Sequence, residues 1–381
     1  VNGTPLPDPA APLPDPAAPL PDRAGSLPPL AYAVVIPTLG RPSLTDCLRA
    51  LDRGQGPRPA RIVLVDDRPL EDCTPLPVTV PARLRDITDV VPGRAAGPAA
   101  ARNAGWRAAA EPWIAFLDDD VLPGPTWAAD LAADLAAAGA RTAAVQAHIT
   151  VPLPEDRRPT DWERTTAGLA RARWITADMA YRRTALEESG GFDERFPRAF
   201  REDADLALRV LDAGWTITQG TRRTTHPVRP ANRWVSLRTQ AGNADDVLMN
   251  RLHGRTWWER AGAPRGRLPA HLAVSAAGAA ALAAAAARRP RAAAGCGALW
   301  LAGCAEFAWA RIAPGPRTGR EVAVMAATSV LIPPAAVLHW LRGLARHRHA
   351  APRPLPPRPP APGRPPSTPA PATAPLPQTS P

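Results

Sequence analysis

Trp113-Ile114-Ala115-Phe116-Leu117-Asp118-Asp119-Asp120 is a wholly apolar run that stops in three carboxylates. Such a run suits a buried strand, although periodicity alone does not separate a strand from a short buried helix. The acids cannot share that burial, because an unpaired carboxylate out of water is too costly. They therefore sit at the end of the run, facing water, a cation or a basic partner. Closely spaced carboxylates at a strand end can hold a divalent ion through oxygen ligands. A solvated acidic turn is the plain alternative.

The flanking sequence alternates strands and helices. Tyr32 to Ile36 reads as a strand stopped by Pro37, and Ser43 as the N-cap of a helix with Leu44, Leu48 and Leu51 on one face. Arg61 to Val65 is a second strand, ending in Asp66-Asp67, and Ile87 to Val91 a weaker third. Gly97-Pro98 opens a helix, with the proline at a tolerated first-turn position. After the acidic strand end, a helix from Pro125 carries Trp127, Leu131 and Leu135 on one stripe and stops at Gly139. This alternation predicts an α/β domain with a mostly parallel sheet. In such sheets ligands sit beyond the carboxyl ends of the strands, where Asp66, Asp67 and Asp118 to Asp120 all fall. Farther on, Trp174 to Tyr181 reads as a strand and Gly190 to Asp193 as a turn. Arg201-Glu202-Asp203-Ala204-Asp205 then leads into a helix closed by Gly214. Acids at a helix N-terminus complement its macrodipole, so Glu202 and Asp203 also have a purely structural explanation.

Composition bounds the remainder. The 381 residues suffice for one large domain or two modest ones, but 50 prolines mean that part of the chain is not globular. Residues 1–30 repeat a PLPDPAA unit and residues 351–381 are again proline-rich, so both read as disordered tails, inert spacers or ligands for proline-recognising domains. The net charge of +11 comes from arginine alone, since the chain has no lysine. Arginine, alanine and proline richness together suggests GC-rich coding bias, which weakens any step from charge to nucleic acid, and no nucleic-acid-binding motif is present. An anionic partner such as a membrane surface or a nucleotide diphosphate fits the charge. Cys47, Cys73, Cys296 and Cys304 show neither metal spacing nor a disulfide framework, which fits a reducing compartment. The N-terminus lacks the basic and apolar pattern of a signal peptide.

VVIPTLGRP, LVDD, GPAAARNAG, FLDDDVLPGP, GGFDERF and REDADLALR follow one another in order across residues 31–260. Each is weak alone, but the series resembles the family 2 glycosyltransferases, whose fold is a single nucleotide-diphospho-sugar-binding α/β domain of the GT-A type. The resemblance implies a nucleotide-sugar site formed by Pro37, Asp66, Asp67, Arg102, Asn103, Asp118 and Asp119, with Asp67 reading the base and Arg102 near the diphosphate. It implies Asp118 and Asp120 as ligands of a Mg²⁺ or Mn²⁺ ion, with Asp119 the variable middle position, and His226 completing the metal shell as it does in some relatives. It implies Asp203, paired with Glu202, as the general base of an inverting displacement, ionised at its ordinary pKa. Asp178 is a guess at an acceptor contact, and Trp257-Trp258 offers rings that stack on a sugar or lipid headgroup or else pack in the core.

From Leu268 the composition turns apolar. Residues 268–287, 292–313 and 322–341 form three runs near the length of a membrane span, bounded by arginines. Glu306 makes the middle run the doubtful one, and Pro333-Pro334 interrupts the last. Two or three spans are expected over residues 268–345. Nucleotide sugars are cytoplasmic substrates, so a membrane-attached catalytic domain would face the cytoplasm and act on a lipid-linked or cell-envelope glycan. The competing readings are a catalytically silent scaffold with the same fold and, with no motif behind it, a nucleic-acid-binding protein.

Overall fold

The computed structural model describes residues 30–352 apart from positions 70 and 73. Cys73 and the proline-rich tails, save Leu30, Ala351 and Pro352, lie outside the described residues. The chain opens with β1 (Tyr32–Thr38), α1 (Ser43–Arg53), β2 (Arg61–Asp66), β3 (Thr88–Pro92), α2 (Pro98–Ala108) and β4 (Trp113–Leu117). β1, β2 and β4 are apolar runs buried on both faces, as a parallel sheet between helical layers requires. A short β5 (Leu122–Pro123), α3 (Trp127–Ala137) and β6 (Thr142–Thr150) follow, then α4 (Asp161–Ala167), β7 (Asp178–Arg182) and α5 (Arg183–Ser189). α6 (Glu202–Asp212), β8 (Thr216–Thr225), α7 (Val235–Arg238), α8 (Gly242–His253) and α9 (Trp257–Arg260) complete the domain.

One sheet runs in the order β3-β2-β1-β4-β7-β6-β8-β5. The pairings among β1 to β4 are parallel, as is β6 with β8. β7 is antiparallel to both its neighbours, and β5 is antiparallel to β8, so the sheet is mixed with a parallel majority. One core layer packs residues such as Val35, Val65 and Phe116 against α2, α5, α6 and α8. The other packs Val34, Ile36 and Leu64 against Leu44 and Leu48 of α1 and Trp127 and Leu131 of α3.

Several local expectations change. Pro42 takes the cap position of α1, and Ser43 is its first helical residue with an unpartnered hydroxyl. The strand expected from Trp174 begins only at Asp178, because Trp174 adopts a left-handed backbone (φ 64°) and gives its N–H to the Gln146 side chain. β6, with three alanines and no long apolar run, has little strand signal of its own. Its place is set by β7 on one side and β8 on the other.

Asp178 does not face an acceptor. It is fully buried, accepting from Trp127 Nε1 at 2.6 Å and Arg222 Nε at 2.9 Å, with Thr224 Oγ1 donating as well. Arg222, also fully buried, pairs with Asp134 at 3.1 Å and donates to the Val145 carbonyl at 2.7 Å. This cluster ties α3, β6, β7 and β8 together.

Beyond the domain lie α10 (Leu268–Ala286), α11 (Pro290–Ile312) and α12 (Gly319–Arg346). α10 and α11 form an antiparallel hairpin in which His271 meets Phe307 at 4.9 Å, Val274 lies against Gly303 and Trp300 against Gly278. Arg267 pairs with Glu306, so that acid sits beside the first turn of α10 at the base of the hairpin. α12 is one continuous helix through Pro333 and Pro334. Its buried residues Met325, Thr328, Ser329, Ile332, Ala336 and Gly343 recur on one face. Near its start Glu321 accepts the Asp161 N–H at 3.0 Å, and near its end Gly343 packs on Ala244 of α8. Arg311 of α11 reaches Thr328 and Asp161, each at 2.8 Å, joining hairpin, α12 and domain. Among the described residues two helices, α10 and α12, are long and apolar enough to cross a membrane.

Replacing Asp178 by Ala leaves Arg222 with an incomplete set of buried partners. The variant should lose about 3–5 kcal/mol of stability, read as a lower thermal midpoint.

Candidate active site

The strand order places β1 beside β4, while the chain goes from β1 outward to β2 and β3 before returning. That reversal is a topological switch point, where open α/β sheets form their ligand crevice. A cleft of about 660 Å³ lies there, lined by Pro37, Asp67, Arg102 and Asp118 to Asp120, and across it by Arg229.

Each acid at the strand ends is held differently. Asp119 accepts from Thr38 Oγ1 at 2.7 Å and from Arg41 Nη1 at 2.8 Å, which fixes the acidic turn to the loop after β1. Asp118 takes Arg102 Nη2 at 2.8 Å. Asp120 is buried and pairs with Arg229 at 2.6 Å, while its other oxygen lies 3.8 Å from His226 Nε2. Burial and the neighbouring Asp118 charge push the Asp120 carboxyl up from its usual range.

Asp118, Asp120 and His226 each offer a ligand atom within 4.8 Å of the others. A Mg²⁺ ion holds oxygens at about 2.0–2.1 Å, so opposite ligands stand about 4.2 Å apart and adjacent ones closer. A small inward adjustment brings this set onto one ion. The antiparallel pair of β5 with β8, Leu122 opposite Thr225, carries His226 to the acidic turn. His226 Nδ1 lies 3.1 Å from the Pro227 carbonyl, a contact that requires the proton on Nδ1 and leaves the Nε2 lone pair for a ligand. Two hard carboxylates and a neutral imidazole fit Mn²⁺ or Mg²⁺.

Asp67 accepts the Gly97 N–H at 3.0 Å, and its Oδ1 is buried with no partner. Burial raises its pKa, opposed by the amides of residues 94–97. Gly97 adopts φ 93°, and a Cβ there would strike the Pro197 carbonyl, so only glycine brings that amide to Asp67. Asp66 turns away and is paired with Arg68 at 2.7 Å, outside the cleft lining. Asn103 is also turned away: its amide donates to the Phe192 carbonyl and Glu194 and accepts from Phe192 N–H and Trp106 Nε1, holding the glycine turn on α2.

Arg102 is the link to α6. Its second arm donates to Glu202 Oε1 at 2.9 Å, so one buried guanidinium joins the strand-end acid to the helix acids. Both terminal nitrogens are taken by carboxylates, which differs from a fork on diphosphate oxygens. Asp203 is partly exposed and caps the Ala204 N–H at 2.7 Å. Its pKa is raised by burial, with Arg102 and Arg201 opposing and Asp118 adding to the rise, in place of the ordinary value expected. Glu202 is pushed up to about 8 by burial and by Asp203, against the pull of Arg102. Before them, Arg201 holds a left-handed backbone (φ 78°), fixed by Asp246 at 2.8 Å and stacked over Phe200 and Trp257 at 4.2 and 4.6 Å. Trp257 is thus core, buried under Arg201, while Trp258 stays half exposed. Thr38, Arg41 and Arg229 were not singled out in the sequence. The first two lie in VVIPTLGRP, where the motif itself was the available signal.

Glu202 ties stability to pH with a definite sign. In the unfolded chain it ionises near 4.5, and in the folded chain near 8, so folding loses stability as pH rises between those values. Glu202→Gln should remove this loss, its melting point gaining on the parent as pH climbs through that window.

Residues 33–200 match the family model described as Glycosyl transferase family 2. Solved structures with similar folds include S. aureus TarS, at 15% identity and TM-score 0.35 over 60% of this chain and 41% of that one. Another is GalNAc-T7 with UDP, GalNAc and Mn²⁺, at 18% identity and TM-score 0.38 over 52% of this chain and 43% of that one. A mycobacterial protein matches at 16% identity and TM-score 0.38 over 62% and 76% of the two chains. The chain thus spans about two fifths of the length of the first two. A search of curated proteins found no match. The family match covers residues 33–200, under half of the 381-residue chain, and that segment is similar to a Glycosyl transferase family 2 domain.

Proposed function

We propose that the chain is a membrane-attached, metal-dependent inverting glycosyltransferase that moves a sugar from a nucleotide diphosphate to a lipid-linked or cell-envelope glycan. The carrying observation is that Asp118 and Asp120 line the cleft that also holds Asp67 and stand with His226 as three ligand atoms within 4.8 Å of one another, with the Glu202-Asp203 pair one buried arginine away.

Asp67, with its unpartnered Oδ1, accepts an N–H of the base. Asp118, Asp120 and His226 would hold a Mg²⁺ or Mn²⁺ ion, which would supply charge neutralisation for the leaving diphosphate. Arg102 keeps Asp118 and Glu202 in place. Arg229, paired with Asp120 and half exposed at the cleft, offers a guanidinium to the diphosphate oxygens. Asp203 takes the proton from the acceptor hydroxyl as that oxygen bonds to the anomeric carbon. The bond from that carbon to the diphosphate breaks on the opposite face, so the configuration inverts. The raised pKa of Asp203 makes it a better proton acceptor than an ordinary carboxylate.

The tail geometry supports a particular membrane arrangement. α12 contacts the catalytic domain near both ends, so it cannot cross a bilayer that the domain does not enter. Its single buried face suits a helix lying between domain and membrane surface. The α10–α11 hairpin is the inserting element. At 1.5 Å per residue α10 is about 28 Å long, close to the hydrocarbon thickness of about 30 Å. Glu306, paired with Arg267 at the base, then lies at the headgroups and not in lipid, and Arg288, Arg289 and Arg291 reach the far surface. Cytoplasmic nucleotide sugars put the domain on the cytoplasmic side.

Asp203→Asn should lower kcat about 10²- to 10⁴-fold while keeping donor-induced thermal stabilisation. Asp120→Asn should lose the Mn²⁺-dependent part of that stabilisation, and full transfer activity in both variants would overturn the mechanism. For the topology, a cysteine introduced as Arg289→Cys should react with an impermeant maleimide only from the face opposite the catalytic domain. Labelling from the domain's own side refutes the inserted hairpin.

A further inference from the structure

A second cavity, of about 610 Å³, opens where the end of α8, α9, the start of α10 and the end of α12 meet. Arg251, Arg255 and Arg265 line it together with Trp258, Leu268 and Trp340. Its one lining carboxylate, Asp246, is already paired with Arg201 at 2.8 Å. Arg251, Arg255 and Arg265 pair with no carboxylate among the described residues, and the three are exposed. Arg265 lies 5.7 Å from the Trp258 ring, so guanidinium and indole stand together in the lining. Three uncompensated positive charges thus meet at the base of an apolar hairpin, where the cavity wall continues into α10 and α12.

We propose that this cavity binds the phosphate headgroup of an anionic phospholipid, whose acyl chains run along α10 and α12. Planar guanidinium groups match phosphate oxygens. Tryptophans with one polar edge suit the headgroup level, and the apolar helix start receives the first methylenes. A soluble anion would use the arginines but would leave Leu268 and the Trp340 ring idle. The site rests on the membrane attachment proposed above and is separate from the donor cleft, with which it shares no lining residue. Arg201 forms part of its wall and immediately precedes Glu202 and Asp203, so an occupied cavity buttresses the backbone that presents those acids.

The test uses the full chain in neutral detergent, with thermal stability followed on adding phosphatidylglycerol, phosphatidylcholine or glycerol phosphate. Phosphatidylglycerol alone should raise the melting point. In the combined Arg251→Gln, Arg255→Gln and Arg265→Gln variant the half-saturating lipid concentration should rise roughly fivefold for each arginine lost. Single variants give the same reading should the triple one fold poorly, and retained stabilisation by a nucleotide sugar reports an intact donor cleft. Equal shifts with both phospholipids, or an unchanged response in the variants, would overturn the proposal, and an equal shift with glycerol phosphate would make it a small-anion site. Carbonate washing of membranes separates the two readings: a released chain refutes the anchor, whereas a retained chain indifferent to lipid charge refutes only the pocket.

Discussion

The arrangement depends on a single buried guanidinium. Arg102 bonds Asp118 at 2.8 Å and Glu202 at 2.9 Å, and burial raises the cost of losing either partner. Its charge is what allows two carboxylate groups from distant parts of the chain to approach each other in a site shielded from water. Without it, Asp118 and the helix acids would repel across the cleft. The surrounding contacts serve the same end. Asn103, one residue on, holds the Gly191–Phe192 turn, and Asp119 fastens the acidic strand end to Thr38 and Arg41.

A second buried arginine does for the far half of the sheet what Arg102 does for the site. Arg222 joins Asp134 and Asp178, so β8 is fixed against α3 and β7. That in turn sets where β8 ends. His226 follows its last residue, gives its N–H to the Thr150 carbonyl at 2.8 Å, and so faces Asp120. The grouping of Asp118, Asp120 and His226 is therefore as much a product of this structural ion cluster as of the acidic triplet. Burying so many charges is a weak source of stability, but it gives the mixed half of the sheet one register.

The apolar tail divides by the same physical criterion. α10 and α11 pack on each other and expose most of their remaining surface, which in water would be an aggregation liability and in lipid is the stable state. α12 is no less apolar, yet its buried face is used by the domain and the hairpin base. Length and hydropathy alone treat it as a span, whereas its contacts hold one face of it against the domain. Its position also completes the arginine-lined cavity, since Trp340 and Leu344 close one wall.

Much of this was legible in the linear chain. Apolar runs gave away β1, β2 and β4, and the last two end in acids, which put Asp67 and Asp118 to Asp120 at their carboxyl ends, because burial forbids charge inside such strands. The ordered motifs carried the resemblance to family 2 glycosyltransferases, and the residues it named, Asp118, Asp120 and His226, do lie together. Other features depend on which surfaces meet in space, and no local pattern encodes that. Alanine-rich β6 is a strand only because β7 and β8 flank it. Asp66 and Asn103 carry the same chemistry as their neighbours but spend it on Arg68 and on the glycine turn. The sequence by itself determined the acidic strand ends and the apolar hairpin, since each is a matter of what must leave water. Only the tertiary structure decided which acids share an arginine, which histidine reaches them and which apolar helix stays on the protein, because those outcomes depend on long-range pairing and its local electrostatics.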